Sequence, residues 1–306
     1  MDNSLNPTAE FLYEDAPQKF PWVNVGLFLM TCFSTLVVGT FLMASFNNTA
    51  TADSGLFGRI WENPGILLSG LPFSISVMGI LFAHELGHYL TCKAYGISAT
   101  LPYFIPAPTI VGTMGAFIKI RSPIQNRRAL LDVGIAGPIA GFVLAVPTLV
   151  IALHYSRFAV MDPSEGFVSF GEPLIFKFFA YLMGKTPPPG MDLYLHPMGV
   201  AAWFGFFATA LNLLPVGQLD GGHVSYALFR DFHKRISKGF VFALLPLGIF
   251  YFQGWLVWTT LLLFIGLRHP MTLDDSIPLS RRHVWLGWIG LAMFVLCFTP
   301  VPIYFN

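Results

Sequence analysis

The chain has 306 residues, of which 55% are hydrophobic and only 11% charged, with a mean hydropathy of +0.64. Soluble domains carry about 25% charge, so this composition excludes an ordinary water-facing surface and names lipid as the main solvent. The 17 basic and 16 acidic residues leave a net charge of +1, which provides no field for nucleic acid.

Before the first apolar run, Asp2, Glu10, Glu14 and Asp15 face only Lys19. That is the wrong charge for a signal peptide or a transit peptide, so residues 1–22 read as a cytoplasmic tail and Val23–Phe46 as a retained anchor. A spanning helix needs about 20 mostly apolar residues. Gly65–Cys92 meets that length and ends in His84, Glu85 and His88. Ala129–Tyr155 follows, with Gly134, Gly137 and Gly141 as small residues for close helix packing. Pro197–Leu214 is a fourth span, holding Asn212 and closing on Pro215. Phe240–Leu267 is interrupted at Gln253 and Gly254, so it reads as one tilted helix or as two short ones that do not each cross. Val284–Thr299 is the last. The expected fold is an all-α polytopic membrane protein of about six transmembrane helices, forming one domain over 23–303 with its core at 65–270.

Basic residues orient the spans. Lys93, Lys119, Arg121, Arg127 and Arg128 lie between the second and third, and Arg230, Lys234, Arg235 and Lys238 follow the fourth. Both connections read as cytoplasmic by the positive-inside rule. Arg268, Arg281 and Arg282 also favour the inside, although a single fifth span puts their segment outside. The charge pattern leaves that conflict open.

Leu101–Arg121 is apolar, yet Pro102, Pro106 and Pro108 forbid a regular helix. The β-branched and aromatic residues that follow, with Gly112 and Gly115, make it a small re-entrant β-like segment. Such backbone is tolerated at membrane depth only where protein or water satisfies it. An ordinary interfacial loop is the alternative.

Phe82–His88 contains H-E-x-x-H. On a helix, positions i and i+4 share a face, so His84 and His88 can present ring nitrogens to one metal ion. Glu85, next to the first ligand, is placed to take a proton from the attacking water. Ionisable residues at the end of an apolar span mark a functional site by default; an interfacial polar cap is the plainer reading. Catalytic zinc usually takes three protein ligands, and Asp220 is the candidate for the third. It follows about 23 residues from Pro197, as His84 follows about 19 of its own span, which places both at similar depth. Gly221 and Gly222 allow a close turn there. His223 is a rival ligand or a partner to one. Asn212 can hydrogen-bond the substrate backbone or an oxyanion, or else a neighbouring helix. His154, His196, His233, His269 and His283 lie near span ends and read as interfacial. Cys32, Cys92 and Cys297 are isolated and show neither disulfide nor metal-site spacing.

Together, Phe82–His88, the Gly134–Gly141 run and Asn212–Gly222 resemble the site-2 protease family of intramembrane metalloproteases, over most of Gly65–Pro270. The tract Leu101–Pro108 and the later Gly266–Pro270 look like the subgroup found in bacteria and, as plastid homologues, in plants. The resemblance implies one zinc per chain held by His84, His88 and Asp220, Glu85 as general base, and membrane-anchored protein substrates. It also implies that the β-like segment holds substrate as an extended strand. Many bacterial members carry an external PDZ domain, but Ser156–His196 is too short for one, so any such gating is absent here or supplied by a membrane partner. A bacterial plasma membrane, with the site towards the cytoplasm, is the expected location. Two other classes stand beside the protease: a non-catalytic metal-binding scaffold or chaperone, and a metal transporter.

Overall fold

The computed structural model describes residues 21–47, 55–160 and 168–305. The acidic tail up to residue 20 therefore lies outside the described residues. α1 (Trp22–Phe46) is followed by the short α2 (Gly55–Glu62). A 3-10 turn over Pro64–Gly70 runs directly into α3 (Leu71–Ala94). The chain then forms strands β1 (Tyr103–Pro106) and β2 (Thr113–Phe117), and the long α4 (Arg127–Tyr155). β3 (Arg157–Ala159), β4 (Val168–Phe170), α5 (Leu174–Leu182) and β5 (Asp192–Tyr194) make the next connection. α6 (Pro197–Asn212), α7 (Asp220–Phe229), α8 (His233–Phe250), α9 (Gly254–Ile265), α10 (Arg281–Cys297) and β6 (Ile303–Phe305) complete the order.

Among the described residues, three stretches are long and apolar enough to cross a membrane: α1, residues 64–94 and α4. The shorter α6, of 16 residues, ends where Pro215 and the positive-φ Gly217 turn the chain. Pro215 has no N–H to continue that helix, and the carbonyl of Leu211 is taken instead by the N–H of Leu214 at 3.2 Å. α4 starts at Asn126, whose side chain accepts from the backbone N–H of Arg128 and Ala129, so the first orphan donors of the helix are satisfied. It carries Pro138 and Pro147 within its length, as spanning helices tolerate when neighbours re-satisfy the backbone.

α4 is the central post. Ile80 of α3, Ala145 and Leu149 of α4 and Phe206 of α6 share one fully buried cluster. α7 packs on the other end of α4 through Leu130, Leu131, Val224 and Ala227.

The segment Leu101–Arg121 forms an antiparallel hairpin. Tyr103 pairs with Phe117 and Phe104 with Ala116, and the register shifts before Pro106 meets Thr113. The rings of Tyr103 and Phe117 stack at 5.4 Å across it, the cross-strand contact on which such ribbons depend.

Phe240–Leu267 proves to be two helices. α8 and α9 fold back on one another at Tyr251–Gln253, with Gly248 against Leu256. The far ends meet again, since the rings of His233 and His269 stand 6.0 Å apart. The pair therefore starts and finishes at the same end of the bundle. The strap after α9 is tied to the start of α4. Leu273 and Asp274 donate to the carbonyls of Ile124 and Gln125. Arg127 donates to the carbonyls of Ala227, Asp275 and Ile277, and Arg128 to that of Pro278.

Candidate metal centre

One helix turn separates His84 from His88, so both rings leave the same face of α3. Asp220 arrives from the first turn of α7, where the positive end of the helix dipole favours a carboxylate. Nε2 of His84 lies 3.2 Å from Nε2 of His88. Oδ2 of Asp220 lies 3.2 Å from the first and 3.3 Å from the second. Tetrahedral ligands about 2.1 Å from one ion stand roughly 3.4 Å apart, so this triangle has the size of a zinc site. Among the described residues it is the one group of His, Cys, Asp and Glu that converges in this way.

The proton inventory agrees. His88 donates from Nδ1 to the carbonyl of Val133 at 2.8 Å, which leaves a bare lone pair on Nε2. Burial alone would raise the Asp220 carboxyl, but the imidazoles facing it, His88 foremost, hold it below the usual carboxylate range. Two imidazoles and a carboxylate pointing at one spot are a donor set that suits a zinc ion.

α4 is the mould for these side chains. A Cβ at Gly137 would fall within the ring of His88, one at Gly141 would lie 3.2 Å from Cβ and Nδ1 of His84, and one at Gly134 would lie 2.8 Å from Cβ of His223. The glycine run admits the site histidines themselves, beyond the helix packing for which its spacing is the usual signal.

Glu85 is 5% exposed and lies against the backbone N–H of Ile118, just past β2. Asn212, the last residue of α6, places Nδ2 3.2 Å from Nε2 of His84, so the structure brings it to the edge of the metal triangle. Two cavities meet here. One, of about 210 Å³, is lined by His88, Gln218, Asp220 and His223. The other, of about 460 Å³, is apolar and is walled by Met114, Phe204, Phe207, Val257, Trp258 and Leu261. His84, Glu85, Ala116 and Asn212 line both, so the site is one passage with a polar and an apolar end.

Two histidines read as interfacial have inward partners. His233 is buried between Ser225 and Ser237, at 2.5 and 3.2 Å, and burial and His269 push it down to about 4. His269 reaches His223 at 2.6 Å. The partner of His269 lies 46 residues away, and no local spacing signals it. Trp258 was equally hidden, as one aromatic in a uniformly apolar stretch.

The family model described as Peptidase family M50 matches residues 72–252, more than half of the chain. The chain is 29% identical over 294 residues to the probable zinc metalloprotease EGY2, chloroplastic, of Arabidopsis thaliana, covering 93% of this chain and 50% of that protein. It is 34% identical over 167 residues to the probable zinc metalloprotease EGY1, chloroplastic, of the same plant, covering 53% and 30%. A third relative, the probable zinc metalloprotease EGY3, chloroplastic, of Oryza sativa subsp. indica, is 26% identical over 245 residues, covering 74% and 41%. The chain thus spans half or less of the length of these relatives. The matched stretch takes in α3 with its two histidines, the glycine face of α4 and Asp220, and by it the chain belongs to Peptidase family M50.

Proposed function

We propose that this chain is an intramembrane zinc metalloprotease that hydrolyses peptide bonds of membrane-anchored proteins within or near the bilayer. The observation that carries the reading is the meeting of His84, His88 and Asp220 around one point, with Glu85 beside it and an apolar groove opening on both. A zinc ion bound there supplies Lewis-acid polarisation of the scissile carbonyl and acidifies water.

The chain's own residues do the rest. Glu85, shielded from bulk solvent, takes a proton from the attacking water and returns it to the leaving nitrogen. Asn212 Nδ2 offers a hydrogen bond to the oxygen that gains charge at the carbonyl. Among the described residues β2 pairs only with β1, and Met114, Gly115 and Ala116 border the groove. Its free edge can receive an unwound substrate as an added strand, which re-satisfies amides that a broken helix exposes.

In the bilayer we place α1, the 64–94 stretch, α4, α6 and α10 as crossings. The α8–α9 pair and the β1–β2 hairpin then re-enter without crossing. This puts the basic segments 230–238 and 268–282 on one side, taken as cytoplasmic, with the polar end of the site. The membrane, a bacterial plasma membrane on the sequence reading, is decided by localising a tagged chain, since the named relatives are chloroplastic. A membrane partner that gates access is part of the proposal.

The scaffold and transporter readings are disfavoured by Glu85, which neither role needs, and by ligands gathered on two helices instead of spread along a path. The deciding experiment is Glu85→Gln against wild type in detergent, on a Leu/Ala-rich single-span peptide. We expect about one zinc per chain in both, with cleavage lost at least 1,000-fold in the variant, on the order of a missing general base. Cleavage at the wild-type rate would end the proposal.

A further inference from the structure

His223 is the third imidazole lining the polar cavity, and the metal triangle leaves it without a task. Its Nδ1 lies 2.6 Å from Nε2 of His269. Nδ1 of His269 lies 2.5 Å from the carbonyl oxygen of Pro270. A carbonyl only accepts, so the neutral His269 ring carries its proton on Nδ1 and is bare at Nε2. His223 must then donate from its own Nδ1. That leaves Nε2 of His223 with an unused lone pair, and no group among the described residues bonds to it.

The ring is held in place. Tyr226 stacks on His269 with centroids 4.5 Å apart and gives its hydroxyl proton to Asp275 at 2.7 Å. The backbone of Gly134 lies against Cβ of His223. Burial, and for His223 the neighbouring His269, disfavours the charged form of both imidazoles.

What the lone pair meets follows from the shape of the passage. The apolar end, walled by Phe204, Phe207 and Trp258, suits a polypeptide segment arriving from lipid. His223 lines only the polar end, with Gln218 and His88, the end whose side chains can hydrogen-bond water. We infer that Nε2 of His223 accepts a hydrogen bond from the attacking water and aims it at the scissile carbonyl, with His269 as the positioning residue that fixes its tautomer. The inference rests on the proteolytic reading. In the step, the water keeps the hydrogen it shares with His223 and gives the other to Glu85 as its oxygen bonds to the carbonyl carbon. The C–N bond then breaks as Glu85 passes that proton to nitrogen, and His223 ends the cycle unchanged in charge.

The test uses the full chain in detergent, with the same Leu/Ala-rich peptide, bound zinc and long-range 1H–15N spectra of 15N-histidine-labelled protein. We expect His223 and His269 both to appear as Nδ1–H tautomers in the wild type. His223→Ala should keep its zinc and its KM while kcat falls about 10- to 100-fold, the scale of one hydrogen bond to a reacting group. His223→Gln, whose amide oxygen can accept in place of Nε2, should recover part of that loss. His269→Ala should lower kcat about 10-fold and convert His223 to a mixture of tautomers. Zinc loss in His223→Ala would make His223 a ligand, and a rise in KM alone would make it a substrate contact; either overturns the inference. So would an Nε2–H tautomer, or unchanged kcat in an active background. A wild type that holds zinc and cleaves nothing would overturn the proteolytic reading, and the water role with it.

Discussion

Gly137 stands so close to His88 that a methyl group at position 137 would occupy the space of the imidazole ring itself. The candidate metal site is therefore formed where α3 meets α4, and the flattest part of α4 is the part that meets its histidines. Gly137→Ala should displace His88 and cost about 1 to 3 kcal/mol, as overpacking does, with most of the bound zinc lost. Gly26→Ala, where nothing lies within 4 Å, is the control. Metal analysis of the two purified variants decides it; full zinc in Gly137→Ala would mean that the ring has room to move.

Removing the third donor should act differently from removing the base. Asp220→Ala leaves two imidazole lone pairs 3.2 Å apart with no anion between α3 and α7. Zinc should fall well below one per chain and cleavage should be lost, whereas Glu85→Gln keeps the metal. Equal zinc in Asp220→Ala and wild type would assign the third ligand elsewhere.

The apolar groove should control substrate binding and leave the metal alone. Ala208 lines it on α6, across from Trp258 on α9. Ala208→Trp fills the groove and should raise KM for the single-span peptide about 10-fold or more, with zinc content unchanged. An unaltered KM would place the substrate path elsewhere.

The strap over residues 268–280 should be pH-dependent at both extremes. Burial alone would raise the Asp275 carboxyl, but hydrogen bonds donated by Thr272 and Tyr226 outweigh it and leave it below the usual range. Its contribution is complete above the unfolded carboxylate value of about 4 and fades as pH falls through the lower folded value. Tyr226 is raised to about 12 by burial and by the same bond to Asp275. Its contribution holds up to the unfolded value of about 10 and fades as pH rises through the folded one. Exchange protection of the Leu273 and Asp274 amides, which bond to Ile124 and Gln125, should be greatest between those limits. Protection at pH 3 equal to that at pH 7, after correction for intrinsic exchange, would count against this linkage.

How much of this was open to a reader of the chain depends on how local each signal is. His84 and His88 announce themselves because a helix repeats every 3.6 residues and the pair sits in otherwise apolar sequence. Asp220 is reachable by counting residues through two spans. The hairpin over 103–117 is visible because proline rules out the alternative. Hydropathy cannot tell a crossing from a fold-back, so Phe240–Leu267 stayed ambiguous even though Gln253 and Gly254 mark the turn. The glycines of α4 show that something comes close, but which side chains fill the hollows is a tertiary fact. The link from His269 to His223 is of the same kind, as His223 on α7 and His269 in the strap after α9 meet only once the strap is tied down by Arg127 and Arg128.

Two donors come from α3 and the third from α7, 136 residues later in the chain. Neither half of the polypeptide supplies all three side chains, and their convergence is absent until α3, α4 and α7 have docked. An ion taken up between these three side chains would arrive only after the helices have docked, late in folding. A metal ion held at that point would therefore report that segments far apart in the chain have come together.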